Sequence, residues 1–344
     1  MMPSSGSQLP QSSIPIYTTV AAYREWRRKA FQEHKTVGFV ATMGALHDGH
    51  ISLVKRSLTE NDLTVVSIFV NPAQFAPHED LATYPRTLPQ DLDVLSAQSF
   101  TVSSRSAEGS VVRKTSAVFL PTVPEMYPSG ISQDTVMQKG TFVEVKGYGH
   151  QMEGQSRPTF FRGVATVVTK LFNAIEPTTA YFGQKDIQQA LILKRLSKDL
   201  LLSHPDPDHI KIVPTARDPM TELALSSRNA YLTKEGHKVA PTLREALKAA
   251  QTAWEQGATK AECVAKAIEV IEHTKARVAS EGTEVLMRLD YVELNNSDDF
   301  EIIDAQSRKS EASLSPVILS GALWVDKTRL IDNIILGDAT SIIA

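Results

Sequence analysis

Cysteine is almost absent from this 344-residue sequence, in which Cys263 is the single example. One thiol excludes a disulfide framework and a cysteine-rich metal site. The surrounding residues 261–270 have the composition of an alanine-rich helix. We therefore expect a buried structural thiol.

Long apolar runs are also absent, since no segment approaches the roughly 18 residues that a membrane-spanning helix needs. Residues 1–15 are rich in Ser, Gln and Pro and contain neither Lys nor Arg, unlike a secretion signal or a transit peptide. We expect a cytoplasmic protein without a membrane partner, in which residues 1–15 form a disordered tail.

An excess of positive charge is the third absence. Lys and Arg total 36 against 39 Asp and Glu, a formal net charge of −3. Nucleic-acid binding relies on a basic face that neutralises phosphates, so no nucleic-acid partner is expected. Any phosphate bound here must be held by a few well-placed cations.

Between residues 37 and 213, apolar segments alternate with segments of helical periodicity. The pattern predicts strands at 37–42, 63–70, 118–120, 141–145, 180–182 and 210–213, and helices at 47–58, 162–175 and 186–202. Such alternation is typical of an α/β fold with a parallel sheet. Ligands of such folds bind beyond the carboxyl ends of the strands.

The pattern changes after residue 216, where two alanine-rich helices (234–255 and 260–276) precede strands at 289–294 and 317–324. This order predicts a smaller α+β domain. We expect a first domain at 16–215 and a second at 216–344. The Ser-rich segment 100–116 is predicted to be a surface insertion without chemistry.

The segment TMGALHDGH, residues 42–50, follows the first predicted strand and begins a helix. Gly44 and Gly49 allow a ligand to approach the backbone, and a helix N-terminus favours phosphate. His47 and His50 lie on one helix face and can donate to one anion as neutral rings. An ordinary turn with two surface histidines is the alternative, whereas a zinc site lacks a third ligand.

The segment FVNPAQF, residues 69–75, ends the next predicted strand with two amides. Asn71 and Gln74 would then lie beside the histidines at the sheet edge. Amides donate and accept hydrogen bonds without a charge, which suits a polar substrate. A simple turn-forming role is the alternative.

The segment YFGQKDIQQ, residues 181–189, repeats the order of strand, glycine and helix. Lys185 at the helix start could reach a polyphosphate, and Asp186 could cap the helix or hold a ribose hydroxyl. Gln189 lies about one helical turn beyond Asp186 and can face the same cleft. The alternative is a capped surface helix with a solvated lysine.

The segment LSSRN, residues 225–229, places two hydroxyls and a guanidinium near the domain boundary. Arg228 suits bidentate contact with phosphate. Such a loop could close over a bound nucleotide, although a serine–arginine loop is often only a loop.

Together these segments resemble one family. The histidine motif at 47–50 and the SSR motif at 226–228 are similar to the two motifs of class I aminoacyl-tRNA synthetases and related nucleotidyltransferases. The segments TMGALHDGH, SIFVNPAQF, YPRTL, FRGVATVVTKLFN, YFGQKDIQQ and ALSSRNAYL resemble the pantoate–β-alanine ligases, and the similarity extends from about residue 16 to the end.

This resemblance implies a Rossmann-like nucleotidyltransferase domain and a homodimer. It also implies ATP-dependent condensation of pantoate with β-alanine through a pantoyl adenylate, which gives pantothenate, AMP and pyrophosphate. No protein nucleophile is needed, so positioning and charge neutralisation dominate. Mg²⁺ would bridge phosphate oxygens with few protein ligands, and Asp91 could orient it through water.

The resemblance also implies roles for residues. Catalytic roles fall to His50 as the proton donor, with His47, Lys185 and Arg228. Gln74 and Gln189 would hold pantoate, Gln74 would also face β-alanine, and Asn71 is a further candidate. ATP would contact Met43, Gly44, Ala45, Leu46, His47, Asp48, Gly49, His50, Gly183, Gln184, Lys185, Asp186, Ala216, Leu225, Ser226, Ser227 and Arg228.

Three positions depart from the family pattern: Ala41 replaces a usual Pro, Phe160 a frequent His, and Gln184 a frequent Glu. Two rival functions are a nucleotidyltransferase with another acceptor and a nucleotide-binding scaffold without activity. A tRNA-charging enzyme is disfavoured by the net charge of −3 and by the lack of an anticodon-binding extension.

Overall fold

The computed structural model describes residues 9–76, 81–103, 109–309 and 315–344. Its strands are β1 (Ile16–Tyr17), β2 (Val37–Thr42), β3 (Leu63–Ile68), β4 (Ser99–Ser103), β5 (Ser110–Phe119), β6 (Thr179–Gly183), β7 (Ile210–Val213), β8 (Met287–Asn296), β9 (Val317–Val325) and β10 (Thr328–Leu336). Its helices are α1 (Val20–Gln32), α2 (Asp48–Glu60), α3 (Leu88–Ser96), α4 (Val123–Met126), α5 (Glu153–Ser156), α6 (Phe160–Ile175), α7 (Ile187–Asp199), α8 (Lys234–Val239), α9 (Thr242–Glu255) and α10 (Lys260–Ser280).

The larger sheet confirms the predicted parallel α/β architecture. Its order is β1-β5-β3-β2-β6-β7, every neighbouring pair on this path is parallel, and β4 adds an antiparallel edge to β5. The chain moves from β2 to β3 on one side and later to β6 on the other. This reversal is a topological switch point, where ligands of open α/β sheets bind.

Strands β2 and β3 are buried along most of their length because helices cover both faces of the sheet. Helix α6 packs against one face through an apolar surface that contains Phe161, Val164 and Phe172. Helix α2 packs against the other face through Ile51, Val54 and Leu58. The loops after β2, β3 and β6 are thereby held at one edge of the sheet.

The C-terminal part contains an antiparallel sheet of order β10-β9-β8, which is covered by α9 and α10. Cys263 is fully buried in this second core, as expected for a structural thiol. The helix predicted at 234–255 is interrupted near Pro241, since proline removes a backbone donor, and it forms α8 and α9. The domain boundary between residues 215 and 216 stays a prediction.

Two expectations differ from the structure. Residues 141–145 form no strand, because the Val143 backbone exchanges hydrogen bonds with the Thr166 hydroxyl (2.9 and 3.3 Å) instead of a neighbouring strand. The segment 100–116, which is expected to be a surface insertion, is mostly exposed and forms part of the β4–β5 hairpin where it is described, and residues 104–108 lie outside the described chain. In the expected tail, Ile14 is buried and the Pro15 carbonyl accepts from Val118 N at 2.9 Å, while residues 1–8 lie outside the described chain.

In the described ranges, no helix combines the length and apolar character that crossing a bilayer requires.

Candidate active site

A cavity of about 270 Å³ lies at the switch point of the larger sheet. Its wall includes most of the residues that the sequence motifs predicted, drawn from the ends of β2, β3 and β6 and from the loop after β7. These are Met43, His47, Gly49, His50, Asn71, Gln74, Gly183, Lys185, Asp186, Gln189, Ala216, Leu225, Ser226, Ser227 and Arg228.

Five predicted ATP contacts do not line this cavity: Gly44, Ala45, Leu46, Asp48 and Gln184. Except for Ala45, each of them lies next in sequence to a residue that does. The first three belong to the turn between β2 and α2, in which Gly44 and Ala45 both adopt positive φ angles (84° and 51°).

Asp91 on α3 holds this turn. Its buried carboxylate accepts hydrogen bonds from Ala45 N (3.1 Å), Leu46 N (2.7 Å) and the Thr87 hydroxyl (3.2 Å). The two amides are therefore not available to a phosphate. Asp91 does not line the cavity, so the structure gives it a role in shaping the turn and does not support a role in orienting a metal.

His47 and His50 lie together at the start of α2, with ring centroids 4.1 Å apart. His47 Nδ1 accepts from Gly49 N at 3.0 Å, and His50 Nδ1 accepts from His47 N at 3.4 Å. A neutral imidazole that accepts through Nδ1 carries its proton on Nε2. Each ring therefore has an Nε2–H to donate to a ligand.

Both rings are neutral at physiological pH. Desolvation by burial, with a further contribution from the Lys185 charge, lowers the pKa of His47 to about 4. Desolvation and the neighbouring His47 lower the pKa of His50 to about 3. The sequence suggested neutral donors, and burial is the main cause of their neutrality.

Lys185 and Arg228 supply positive charge to the cavity. Lys185 Nζ lies 3.5 Å from Asp186 Oδ1, and its side chain is 17% exposed against 48% for the aspartate. Arg228 has no carboxylate partner in the part of the chain that the structure describes, and its backbone N donates to Ser226 Oγ at 3.3 Å. With the histidines and Ser226, these residues form what we call the anion end of the cavity.

The C-terminal sheet holds the anion end in place. Asn333 on β10 donates to the carbonyls of Gln184 (2.8 Å) and Lys185 (3.0 Å), and it accepts from Gln184 Nε2 at 3.2 Å. Ser227 Oγ donates to the Ala45 carbonyl at 3.2 Å. The sequence motifs did not identify Asn333, since it is about 150 residues from its partners.

Most carboxylates on the cavity wall form salt bridges with arginines. Asp332 binds Arg217 through both oxygens at 2.7 and 2.8 Å. Glu153 accepts from Arg329 at 2.6 and 3.1 Å and from the Tyr291 hydroxyl at 3.0 Å. These pairs join β10 to the loop after β7 and to α5, and they lower the net negative charge near the cavity.

A second group of cavity residues, which we call the amide end, contains Asn71, Gln74 and Gln189. Asn71 is buried, and its Nδ2 donates to Gln74 Oε1 at 2.9 Å and to the Gly163 carbonyl at 3.2 Å. Gln189 on α7 forms no hydrogen bond through its side chain within the described ranges. Gln74 and Gln189 are thus the two amides available to a ligand.

Helix α6 approaches the turn of residues 72–74 very closely. A Cβ at Gly163 would lie 2.0 Å from the Ala73 carbonyl oxygen, so a glycine is required there. Arg157, which precedes α6, donates to the Gln74 carbonyl at 2.9 Å and lies 4.0 Å from the ring centroid of Phe160. Phe160 therefore gives this wall an aromatic surface at the position where the family pattern has a frequent His.

Comparison with known proteins gives a consistent result. The family model described as Pantoate-beta-alanine ligase matches residues 15–335. Pantothenate synthetase of Herpetosiphon aurantiacus is 41% identical over 94% of this chain and 100% of its own length. Pantoate--beta-alanine ligase of Saccharomyces cerevisiae is 40% identical with the same two coverages.

Solved structures show the same similarity. Pantothenate synthetase from Thermus thermophilus superposes with a TM-score of 0.73 at 35% identity, covering 93% of this chain and 99% of the other. Pantoate-beta-alanine ligase from Francisella tularensis, in a complex with beta-gamma ATP and beta-alanine, gives a TM-score of 0.67 at 29% identity, with 94% and 98% coverage.

Proposed function

This chain belongs to the pantoate–β-alanine ligase family and is an ATP-dependent ligase, and we propose that the cavity at the switch point carries out its reaction in two steps. The observation that supports this proposal is the composition of the cavity. The cavity combines two neutral histidines with Lys185 and Arg228, and it also carries two available amides.

In the first step, a carboxylate oxygen of pantoate forms a bond to the α-phosphorus of ATP. The bond between the α-phosphorus and the bridging oxygen breaks, and pyrophosphate leaves with the electron pair. Lys185, Arg228 and the Nε2–H groups of His47 and His50 stabilise the charge that develops on the phosphate oxygens. No protein nucleophile takes part.

In the second step, the amine of β-alanine forms a bond to the carbonyl carbon of pantoyl adenylate. The bond from this carbon to the AMP oxygen breaks, and the amine proton passes to solvent. The site contributes mainly by holding the two reactants close together. We assign Gln74 and Gln189 to pantoate, and Gln74 also to β-alanine.

ATP is proposed to contact the residues at the anion end. These are Met43, His47, Gly49 and His50 after β2, Gly183, Lys185 and Asp186 after β6, and Ala216, Leu225, Ser226, Ser227 and Arg228 after β7. The turn of Gly44, Ala45 and Leu46, with Asp48 and Gln184, supports this wall from behind.

The donors in the cavity fit Mg²⁺ that is held mainly by phosphate oxygens. No group of three potential ligands occurs in the described ranges. Among the carboxylates on the wall, Asp332 and Glu153 bind arginines through both oxygens, whereas Asp186 has only Lys185 at 3.5 Å. We therefore propose Asp186 as the protein group for the ion, which would neutralise charge on the phosphates.

Four further expectations remain proposals. We propose that residues 16–215 bind the substrates, that residues 216–344 close over ATP as a lid, that two copies form a homodimer, and that the protein is cytoplasmic. Support for the lid comes from Ser226, Ser227 and Arg228, which lie in the C-terminal part and line the cavity. Sedimentation analysis would test the dimer.

Isotope exchange between pyrophosphate and ATP tests the function directly. With Mg²⁺ and pantoate, and without β-alanine, the purified protein is expected to exchange label, because the adenylate forms reversibly. Close hydroxy acids should support little exchange. Absence of exchange with pantoate would overturn the adenylate mechanism, and a stable adenylated product with another acceptor would favour the nucleotidyltransferase alternative.

A further inference from the structure

A buried tyrosine lies behind the amide end. Tyr127, which follows α4, is 3% exposed and does not line the cavity. Its hydroxyl donates to Asn71 Oδ1 at 2.6 Å. The phenol ring stacks on Phe69. Lys170 Nζ lies 3.9 Å from the ring centroid and donates to the Met126 carbonyl.

The orientation of the Asn71 amide follows from its four partners. Its oxygen accepts from the Tyr127 hydroxyl and, at 3.4 Å, from Ala73 N. Its nitrogen donates to Gln74 Oε1 and to the Gly163 carbonyl. A reversed amide would place its nitrogen against an N–H donor and its oxygen against two carbonyl oxygens, so only one orientation is compatible with this site.

This orientation determines that of Gln74. Because Gln74 Oε1 accepts from Asn71, the amide nitrogen is the end that remains for a ligand. Gln74 Nε2 has no acceptor in the part of the chain that the structure describes. An N–H₂ group can donate to a carboxylate or hydroxyl oxygen but cannot accept from a donor.

We propose that Tyr127 is a positioning residue, which acts through Asn71 to present the Gln74 amide to the substrate as a hydrogen-bond donor. This proposal rests on the proposed function, since the oxygen that it serves belongs to pantoate. Tyr127 touches neither ATP nor pantoate. The Gln74 amide nitrogen should therefore favour a substrate with a carboxylate or hydroxyl oxygen at this position. A protonated basic group would place one hydrogen-bond donor against another.

The state of the phenol supports this role. Burial raises the pKa of Tyr127 well above its usual range, so the hydroxyl stays protonated and remains a donor at any physiological pH. Loss of the hydroxyl would leave the buried Asn71 oxygen with one weak donor. The Asn71 amide could then rotate, and Gln74 would no longer be held in one orientation.

The test compares Tyr127→Phe with a matched control. Tyr23 is another fully buried tyrosine of the same apolar core, whose hydroxyl donates to the Ile175 carbonyl at 3.3 Å, and neither residue lines the cavity. In Tyr127→Phe we expect the KM for pantoate to rise about tenfold, the value of one hydrogen bond, while the KM for ATP changes less than twofold. Tyr23→Phe should change neither constant.

Two further variants separate positioning from a general loss of structure. Asn71→Ala interrupts the same link and should also raise the pantoate KM selectively. In a Gln74→Leu background, Tyr127→Phe should have no further effect on kcat/KM for pantoate, because the residue it positions is gone. Circular dichroism and thermal unfolding of each variant report on folding.

The outcomes are distinguishable. If the wild-type protein shows no pantoate-dependent exchange, the proposed function fails. If the wild type is active but Tyr127→Phe changes the KM values for pantoate and ATP equally, then the hydroxyl serves only the core and the inference is overturned. The inference is also overturned if Tyr127→Phe lowers kcat/KM for pantoate further in the Gln74→Leu background.

Discussion

At the anion end of the cavity, the groups that face the ligand are held by both sheets, whereas at the amide end they are held within the larger sheet and its helices. Asn333 on β10 fixes the turn that carries Lys185, and Ser227 reaches the turn after β2. In contrast, the buried Tyr127 and Asn71 form one series of hydrogen bonds with Gln74.

The difference indicates that the two ends respond differently to movement of the C-terminal part. A shift of β8–β10 would alter the position of Lys185 and Arg228 but leave the donor of Gln74 in place. The amide end is therefore expected to bind its substrate whether or not the anion end is assembled. Variants at each end should affect different kinetic constants.

The largest effect is expected from Lys185→Ala. Removing one charged donor that stabilises a transition state typically costs on the order of 100-fold in rate, so kcat should fall by at least this factor with little change in the pantoate KM. Steady-state kinetics will measure it, with Lys198→Ala on the exposed side of α7 as the control. Activity within a few-fold of wild type would show that Lys185 is only a solvated residue.

Gln189→Leu tests the amide end. Loss of a hydrogen bond to a charged oxygen should raise the KM for pantoate about 10- to 30-fold and leave the KM for ATP within threefold. The exposed Gln32→Leu on α1 serves as the control. An equal rise in both constants would contradict the separation of the two ends.

Asn333→Ala tests the contribution of the C-terminal sheet. The variant removes two hydrogen bonds to the turn at 184–185, so kcat/KM for ATP should fall about 5- to 10-fold, and pantoate binding should change less than twofold. Asn173→Ala on the exposed surface of α6 is the matched control. If pantoate binding weakens as much as ATP binding, the amide end also depends on this sheet.

The last effect concerns the pH dependence of stability. In the native protein the pKa of His50 is about 3, whereas an unfolded histidine titrates near 6.5. Between pH 7 and pH 5, His50 therefore binds a proton in the unfolded chain but not in the native protein. The free energy of unfolding falls as the pH is lowered. In His50→Gln, we expect the decrease in the free energy of unfolding from pH 7 to pH 5 to be smaller than in the wild type by about 1–2 kcal/mol.

Urea unfolding at pH 7 and pH 5 measures that difference. The exposed His273→Gln on α10 is the control, and it should lose as much stability as the wild type. An unchanged pH dependence in His50→Gln would mean that the ring is not held neutral. At the amide end Gln74, Gln189 and Asn71 do not titrate, so the effect belongs to the anion end.

Much of the site could be predicted from sequence because of one property of parallel sheets. Strands that run in one direction end at one edge, so the polar residues after β2, β3 and β6 had to meet there. His50, Gln74 and Lys185 were predicted in this way, and all three line the same cavity in the structure.

Other contacts depend on long-range packing that no local pattern shows. Asn333 was missed because its position on an antiparallel strand reveals nothing about the turn at 184–185. Tyr127 follows a short four-residue helix and reads as an ordinary core aromatic. The contacts of Asp91 with the turn could not be predicted, since a carboxylate that caps backbone amides and one that serves a metal look alike in sequence.

The close approach of α6 to the turn at 72–74 has a consequence for changing the substrate range. The backbones meet at Gly163, where even one added carbon would lie 2.0 Å from the Ala73 oxygen. Substitution of Gly163 therefore cannot be used to change the size of the cavity on this side. A library that seeks larger or smaller acids should keep position 163 fixed and vary Phe160, whose side chain lines the cavity and contacts the guanidinium of Arg157.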